Sequence, residues 1–168
     1  MISASGKSLG VAALTLLAIV ASTSARADDV PTFTTDPASH CSIGTYHPDP
    51  RDSVRWNGTC AAGKAQGQGV AEWQTAGAFV ARFEGTFEGG LIEGRGLKVT
   101  KDNRRFEAEF HQGKMSGRCV MTTPAVRVDG QCSNDAFNGR GIATFTNGNR
   151  YEGNFKDSAF NGQGHLFR

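Results

Sequence analysis

The chain contains four cysteines, whose thiols could take part in redox chemistry, bind a metal or form disulfide bonds: Cys41, Cys60, Cys119 and Cys132. There is no Cys-x-x-Cys pair among them, and their separations do not match a zinc site. In an exported chain, four cysteines are typical of disulfide bonds, and they allow three connectivities. We therefore predict that all four are structural, with the pairing set by the strands that carry them.

Four histidines are the other candidates for acid–base or metal chemistry: His40, His47, His111 and His165. His40 and His47 could ligate a metal or act as a base, but no nucleophile lies at a recognisable spacing from them. The stretch Gly58–Ala65 is one residue short of a P-loop and has Ala65 where the magnesium-binding Ser or Thr belongs. The chain is therefore predicted to have no catalytic site, no metal site and no cofactor.

Residues 1–27 have the features of a secretory signal peptide. The positive charge of Lys7 precedes an apolar run from Leu9 to Val20, which is short for a membrane span. Residues 25–27 fit a cleavage site with small residues at both ends. We predict cleavage before Asp28 and a periplasmic or secreted location; an uncleaved anchor is the alternative.

The charge of the predicted mature chain is balanced. Cleavage removes Lys7 and Arg26, which reduces the 18 basic residues to 16, against 16 acidic residues. A neutral protein exerts no long-range attraction on nucleic acid or on an anionic membrane. The composition therefore favours neither a nucleic-acid partner nor contact with membrane lipid.

From Arg55 to the C-terminus the sequence repeats, and internal repeats decide a fold before any single motif does. The five units begin with an apolar residue, at Trp56, Phe83, Phe106, Val128 and Tyr151. When each unit is numbered from that residue, position 12 is always Gly, and position 3 is Gly in every unit but the third, which has Ala108. The regular spacing of the glycines argues against a disordered Gly-rich segment.

The repeat has the period of a strand. Positions 1, 3 and 5 alternate with polar positions, and the glycines at positions 8 and 12 predict a loop. Position 15 predicts the start of a second strand, so that each unit is a hairpin. Turns such as Asn147-Gly148 would join one hairpin to the next. The predicted fold class is all-β, an elongated antiparallel meander of stacked hairpins.

This pattern resembles the MORN repeat family, with Tyr151–Gly164 and Phe83–Gly96 as the best units. The resemblance covers residues 55–168. It implies a non-enzymatic protein that acts by scaffolding or protein–protein contact, in some members through self-association. The partner is not readable from the sequence.

The repeat positions also predict the disulfide pairing. Unit three has Cys119 where most units have Gly at position 14, and unit four has Cys132 at position 5 in place of an aromatic residue. Folding the chain about residues 124–127 makes these two cysteines face each other on adjacent strands. Cys41 and Cys60 then pair by elimination, which would pin the N-terminal segment to the first hairpin.

The two ends of the array are predicted to differ. Residues 28–54 contain four prolines, which argue for an irregular segment that caps the first hairpin. At the C-terminal end the sequence shows no cap, which predicts a free strand edge bearing Leu166 and Phe167. This edge is a predicted site for a protein partner or for self-association through the C-terminal unit.

An arginine precedes every unit: Arg55, Arg82, Arg105, Arg127 and Arg150. Position 2 is acidic in four units, so an arginine and an acid recur on the face opposite the aromatic residues. One interpretation is a solvated ladder of ion pairs, each worth under about 1 kcal/mol. The other is a charged strip that binds an acidic partner.

A second function hypothesis uses the opposite face. Its aromatic residues could bind a glycan or a lipid headgroup of the cell envelope: Trp56, Phe83, Phe87, Phe106, Phe110, Tyr151 and Phe155. The competing interpretation is that these rings are the core of the fold. A hydrolase is a third hypothesis, and no paired carboxylates or Ser-His-Asp spacing support it.

Overall fold

The computed structural model describes residues 30–46 and 48–168, so the predicted signal peptide and His47 lie outside the described residues. In the described part, no helix has the length and apolar character of a membrane span. The strands are β1 (Thr32–Thr35), β2 (Ser42–Thr45), β3 (Asp52–Trp56), β4 (Thr59–Ala61), β5 (Lys64–Thr75), β6 (Ala78–Glu88), β7 (Leu91–Thr100), β8 (Arg105–His111), β9 (Lys114–Thr122), β10 (Val126–Ser133), β11 (Ala136–Phe145), β12 (Arg150–Lys156) and β13 (Ala159–Phe167).

These strands form one sheet, ordered β1-β2-β5-β6-β7-β8-β9-β10-β11-β12-β13, with β3 and β4 both paired to β5. From β5 to β13 each strand pairs antiparallel with the next one in the chain. The predicted all-β antiparallel meander of hairpins is therefore confirmed. The one parallel contact joins β2 to β5 at Ser42 and Lys64.

Each unit is a hairpin closed by a two-residue turn at positions 7 and 8. Both residues have positive φ in all five turns, which is the conformation of a type I′ turn. The turns are Ala62-Gly63, Gly89-Gly90, Gln112-Gly113, Asn134-Asp135 and Asp157-Ser158. The twist of a type I′ turn matches that of the two strands, so the hairpin closes without a longer loop.

The second strand of each hairpin therefore begins at position 9, and the predicted start at position 15 is wrong. Positions 9 to 12, predicted as a loop, belong to the strand in every unit. The glycine at position 12 has positive φ within the strand, for example 67° at Gly94. In the same hairpin the register shifts between Gly85 and Thr86, so the glycine accompanies a bulge rather than a loop.

Equivalent positions align across the sheet, and positions 3 and 14 form a continuous row that we call the glycine row. Its members are successive register partners: Gly69, Gly85, Gly96, Ala108, Cys119, Gly130, Gly141, Gly153 and Gly164. A Cβ built on Gly96 would lie 2.2 Å from Cζ of Phe83, and one on Gly153 would lie 2.3 Å from the Tyr151 hydroxyl. The ring at position 1 thus occupies the space that side chains would need.

The rings over the glycine row pack into one core. Phe83 contacts Phe87 and Phe110 edge to face, with ring centroids 5.5 and 5.1 Å apart. Position 10 adds a core position that the sequence analysis missed, since Ala65, Ile92, Met115 and Phe137 are all buried. The fifth residue at this position, Phe160, is exposed.

The structure brings both predicted cysteine pairs to disulfide-bonding distance. The Cα atoms of Cys119 and Cys132 are 5.9 Å apart, and those of Cys41 and Cys60 are 5.7 Å apart. Cys119 belongs to the glycine row and is fully buried. Unit four has Val128 instead of an aromatic ring, and the disulfide fills part of the core space that the ring would occupy. Each bridge is expected to stabilise the fold by about 2–4 kcal/mol.

The N-terminal segment is more regular than predicted, because residues 30–54 include β1, β2 and most of β3. Its prolines precede β1 or lie between strands, where a missing N–H breaks no ladder. The segment crosses the turns of units two and three: Gly44 N–H donates to Gly90 O at 2.8 Å, and the Tyr46 hydroxyl donates to Gln112 O at 2.8 Å. It therefore packs along the turns of the array, besides contacting its first strands.

Asp36 links the N-terminal segment to the first unit by hydrogen bonds. It is buried, and its carboxylate accepts hydrogen bonds from Ala38 N–H at 3.0 Å, the Ser39 hydroxyl at 2.6 Å and Trp56 N–H at 3.1 Å. Burial by itself raises the pKa of Asp36, but these hydrogen bonds outweigh it and hold the pKa below its ordinary value. The charged form is therefore favoured in the folded state.

We expect Asp36→Asn to lower the free energy of unfolding by about 1–3 kcal/mol at pH 7, because an amide cannot accept all three hydrogen bonds. The folded pKa is depressed, so the wild-type advantage is present above the unfolded pKa of about 3.9 and is lost as the pH falls through the folded pKa. Urea unfolding of the wild type and the variant measures the difference in their free energies of unfolding at pH 7 and at pH 3. A difference that is the same at both pH values would contradict this role, and Glu88→Gln, at an exposed residue, is the control.

The packing of rings on the glycine row generates a second prediction. Gly96→Ala should lower the free energy of unfolding by about 1–3 kcal/mol, because its methyl group would overlap the Phe83 ring. The variant with both Gly96→Ala and Phe83→Leu should lose less free energy of unfolding than the two single variants lose together, because the shorter side chain leaves room for the methyl group. Urea unfolding of the four proteins gives the coupling energy, and strict additivity would show that the ring and the glycine do not depend on each other.

Candidate binding surfaces

Two of the surfaces that the described chain leaves open carry predicted binding residues. One is the face of the sheet opposite the aromatic core, which we call the outer face. The other is the edge of β13 that does not pair with β12. The predicted binding residues divide between these surfaces, with the five arginines on the outer face and Leu166 and Phe167 at the edge strand.

The five predicted arginines are exposed and fall in one row across the outer face. Register pairing runs Arg55, Glu72, Arg82, Val99, Arg105, Thr122, Arg127, Thr144 and Arg150. Ion pairs to position 2 form in three units: Arg82 with Glu84 at 3.4 Å, Arg127 with Asp129 at 4.0 Å, and Arg150 with Glu152. These pairs are exposed and contribute under about 1 kcal/mol each.

A second set of arginines, which the sequence analysis missed, lies at position 13: Arg95, Arg118 and Arg140. Arg95 pairs with Glu109 at 3.2 Å, and Arg118 pairs with Asp129 at 3.1 Å, a contact that raises the pKa of Arg118. Arg140 makes no ion pair or side-chain hydrogen bond within residues 30–46 and 48–168. The signal that could have found this set is an arginine directly after the glycine at position 12 in units two, three and four.

A shallow groove crosses the outer face along the glycine row, and we call it the glycine groove. It consists of three adjoining open depressions of about 340, 630 and 500 Å³, which share Arg118, Asp129 and Arg140 at their borders. Its floor is the backbone of the glycine row from Gly96 to Gly164. Position 13 forms one wall, and positions 2 and 15 form the other.

In the described chain, β13 lacks a hydrogen bond that the second strand of each preceding hairpin receives from the next unit. In each junction the N–H at position 8 of one unit donates to the carbonyl at position 10 of the preceding unit. The distances are 2.9 Å for Gly90 to Ala65, 2.8 Å for Gly113 to Ile92, 3.3 Å for Asp135 to Met115 and 3.0 Å for Ser158 to Phe137. In unit five no described residue covers Phe160 in this way, and its ring stacks on Tyr151 with centroids 3.9 Å apart.

The exposed apolar side chains concentrate on this strand. Phe160, Leu166 and Phe167 are 52%, 54% and 49% exposed, which makes them three of the six large hydrophobic residues exposed in the described chain. All of β13 is exposed. The structure therefore places the predicted residues Leu166 and Phe167 on a strand that has one paired edge and one open edge.

The aromatic face is not available to a ligand. Six of its seven rings are buried, namely Trp56, Phe83, Phe87, Phe110, Tyr151 and Phe155. Phe106 is half-buried and packs against this core. The hypothesis that these rings bind a glycan or a lipid headgroup is therefore wrong, because a ligand would have to displace the core.

Within the part of the chain that the structure describes, no three His, Cys, Asp or Glu side chains lie close enough to hold a metal ion. His111 contacts Glu93 at 3.3 Å on the surface, and Cys41 is taken up by its disulfide. Arg51 hydrogen-bonds to Asp49 and lowers the pKa of that carboxyl to about 2.

A helix-free sheet of stacked hairpins, each contacting mainly its neighbours, is a repeat protein. A model of the MORN repeat matches the chain at residues 83–103, 106–124, 129–150 and 151–167, and the chain belongs to this family. The unit that begins at Trp56 lies outside the matched segments, but the Trp56 ring also lies over Gly58 and Gly69. No curated protein matches the chain. MORN repeats are non-catalytic modules that generally bind proteins or membranes.

Proposed function

We propose that this chain is an exported, non-enzymatic interaction protein that binds a protein strand along the open edge of β13. The observation that carries the proposal is the combination, on that strand, of an unpaired edge with Phe160, Leu166 and Phe167. An open edge offers backbone N–H and C=O groups to another chain, and apolar side chains beside it add contact area.

Two features support export. The first is the signal-like composition of residues 1–27. The second is the pair of disulfides, which are typical of an oxidising compartment and rare in the cytosol. Periplasm and extracellular space both meet this requirement.

The proposed partner is a second copy of the chain, because two identical edges can pair antiparallel about a two-fold axis and form a closed dimer. The pairing would give Phe160 a neighbouring strand of the kind that the preceding units already have. It would also bury Leu166 and Phe167, which are otherwise exposed to water.

Light scattering tests this proposal. The wild-type protein should be dimeric at high micromolar concentration, and Leu166→Lys with Phe167→Lys should make it monomeric, because two charges would face the pairing strand. Ala78→Lys with Phe79→Lys adds the same charges to exposed positions of β6 and should leave the dimer intact. A wild-type protein that stays monomeric would contradict self-association. A different protein would then have to bind β13, and the Leu166 and Phe167 variant should fail to capture it.

A further inference from the structure

We propose that the glycine groove is a second binding site, that it takes an extended acidic polypeptide, and that Arg140 is its anchor for a carboxylate. This site is separate from the edge of β13 and from the function proposed above. It depends on three observations: the bare floor of the groove, the distribution of charge along its walls, and the amide side chains around Arg140.

The floor of the groove is backbone because side chains at positions 3 and 14 point to the core, as buried Ala108 and Cys119 show. On the core side the rings of position 1 cover the row, and on the outer side its backbone lines the depressions. A bound chain could therefore approach the sheet closely between the two walls. The groove crosses β7 to β13, which at about 4.8 Å per strand is about 29 Å, the length of about nine extended residues.

Around Arg140 the charges leave one cation unneutralised, whereas Glu107, in the depression that Arg140 does not line, is an acid with no ion pair among the described residues. Of the acids, Glu109 is paired with Arg95, Asp129 with Arg118 and Arg127, and Glu152 with Arg150. Arg140 lies between two of the depressions and has no ion pair among the described residues. An incoming carboxylate would therefore meet a free guanidinium, whose fork of N–H donors can bind both carboxylate oxygens.

The surroundings of Arg140 favour a polypeptide over other anions. Neutral amides with no side-chain hydrogen bond among the described residues line the groove on both sides of it: Gln131 in one depression, Asn154 and Gln163 in the other. An amide can donate to a peptide carbonyl and accept from a peptide N–H at the same time. No Phe, Tyr or Trp ring lines these depressions, so a sugar polymer would find none of the large rings on which sugars stack.

Fluorescence anisotropy with a labelled decaglutamate peptide tests the site, because charge repulsion keeps this peptide extended at pH 7. The protein without residues 1–27 should bind it at low ionic strength, and Arg140→Gln should weaken binding about tenfold, the effect of one lost charge-assisted contact. Arg105→Gln is the matched control. Arg105 is also exposed, lies on the same face and has no ion pair in the described chain, but it does not line the groove. Its change should weaken binding less than about twofold.

Three outcomes would overturn the proposal: no binding of decaglutamate, equal loss in the two arginine variants, or equal binding of decaglutamine. If vesicles containing phosphatidylglycerol bind through Arg140 and the peptide does not, the ligand is a membrane and the proposal is wrong. The variant with Leu166→Lys and Phe167→Lys should still bind the peptide, so failure at the groove and failure at the β13 edge can be told apart.

Discussion

The structure depends on one contact, the packing of the position 1 ring on the glycines of positions 3 and 14. Phe83 over Gly85 and Gly96, and Tyr151 over Gly153 and Gly164, leave no room for a Cβ. Glycine weakens a strand by itself, so the ring must supply the packing that the missing side chains do not. On the outer face the row is bare because side chains at these strand positions point to the core. The ring and glycine contact therefore organises the buried aromatic core.

Each unit also supplies hydrogen bonds that complete the unit before it. The turn at positions 7 and 8 is held by backbone hydrogen bonding to position 10 of the preceding unit, and in two junctions a side chain adds to this. Asp135 Oδ1 accepts from Met115 N–H at 2.8 Å, and Ser158 Oγ accepts from Phe137 N–H at 3.1 Å. Stability in such an array passes from neighbour to neighbour, so a strand with one neighbour is the least supported part. Within the array of hairpins from β5 to β13, that strand is β13.

The sequence predicted the parts of the fold that depend on spacing. The alternation at positions 1, 3 and 5 predicted the first strand, and the substitution of glycine and an aromatic residue by Cys119 and Cys132 predicted their pairing. The two-residue turn was missed because the glycines at positions 8 and 12 together suggest one longer loop, and because pairs such as Asp157-Ser158 lack the glycine that three of the turns have. Position 10 was missed because Ala65, Ile92, Met115 and Phe137 share burial but no residue type. The arginines at position 13 are visible after the glycine at position 12, but which of them lacks an ion pair depends on distances that no sequence contains.

The central claim is that each hairpin is completed by contacts from the next one, so that β13 is left open. Amide hydrogen exchange, followed by mass spectrometry on dilute and on concentrated protein, tests it most directly. The account predicts that in dilute protein β13 exchanges faster than β11, which has a neighbour on both sides, and that β13 is slowed at high concentration as its edge pairs. If β13 is as protected as β11 in dilute solution, some other element covers this edge, and the account is contradicted.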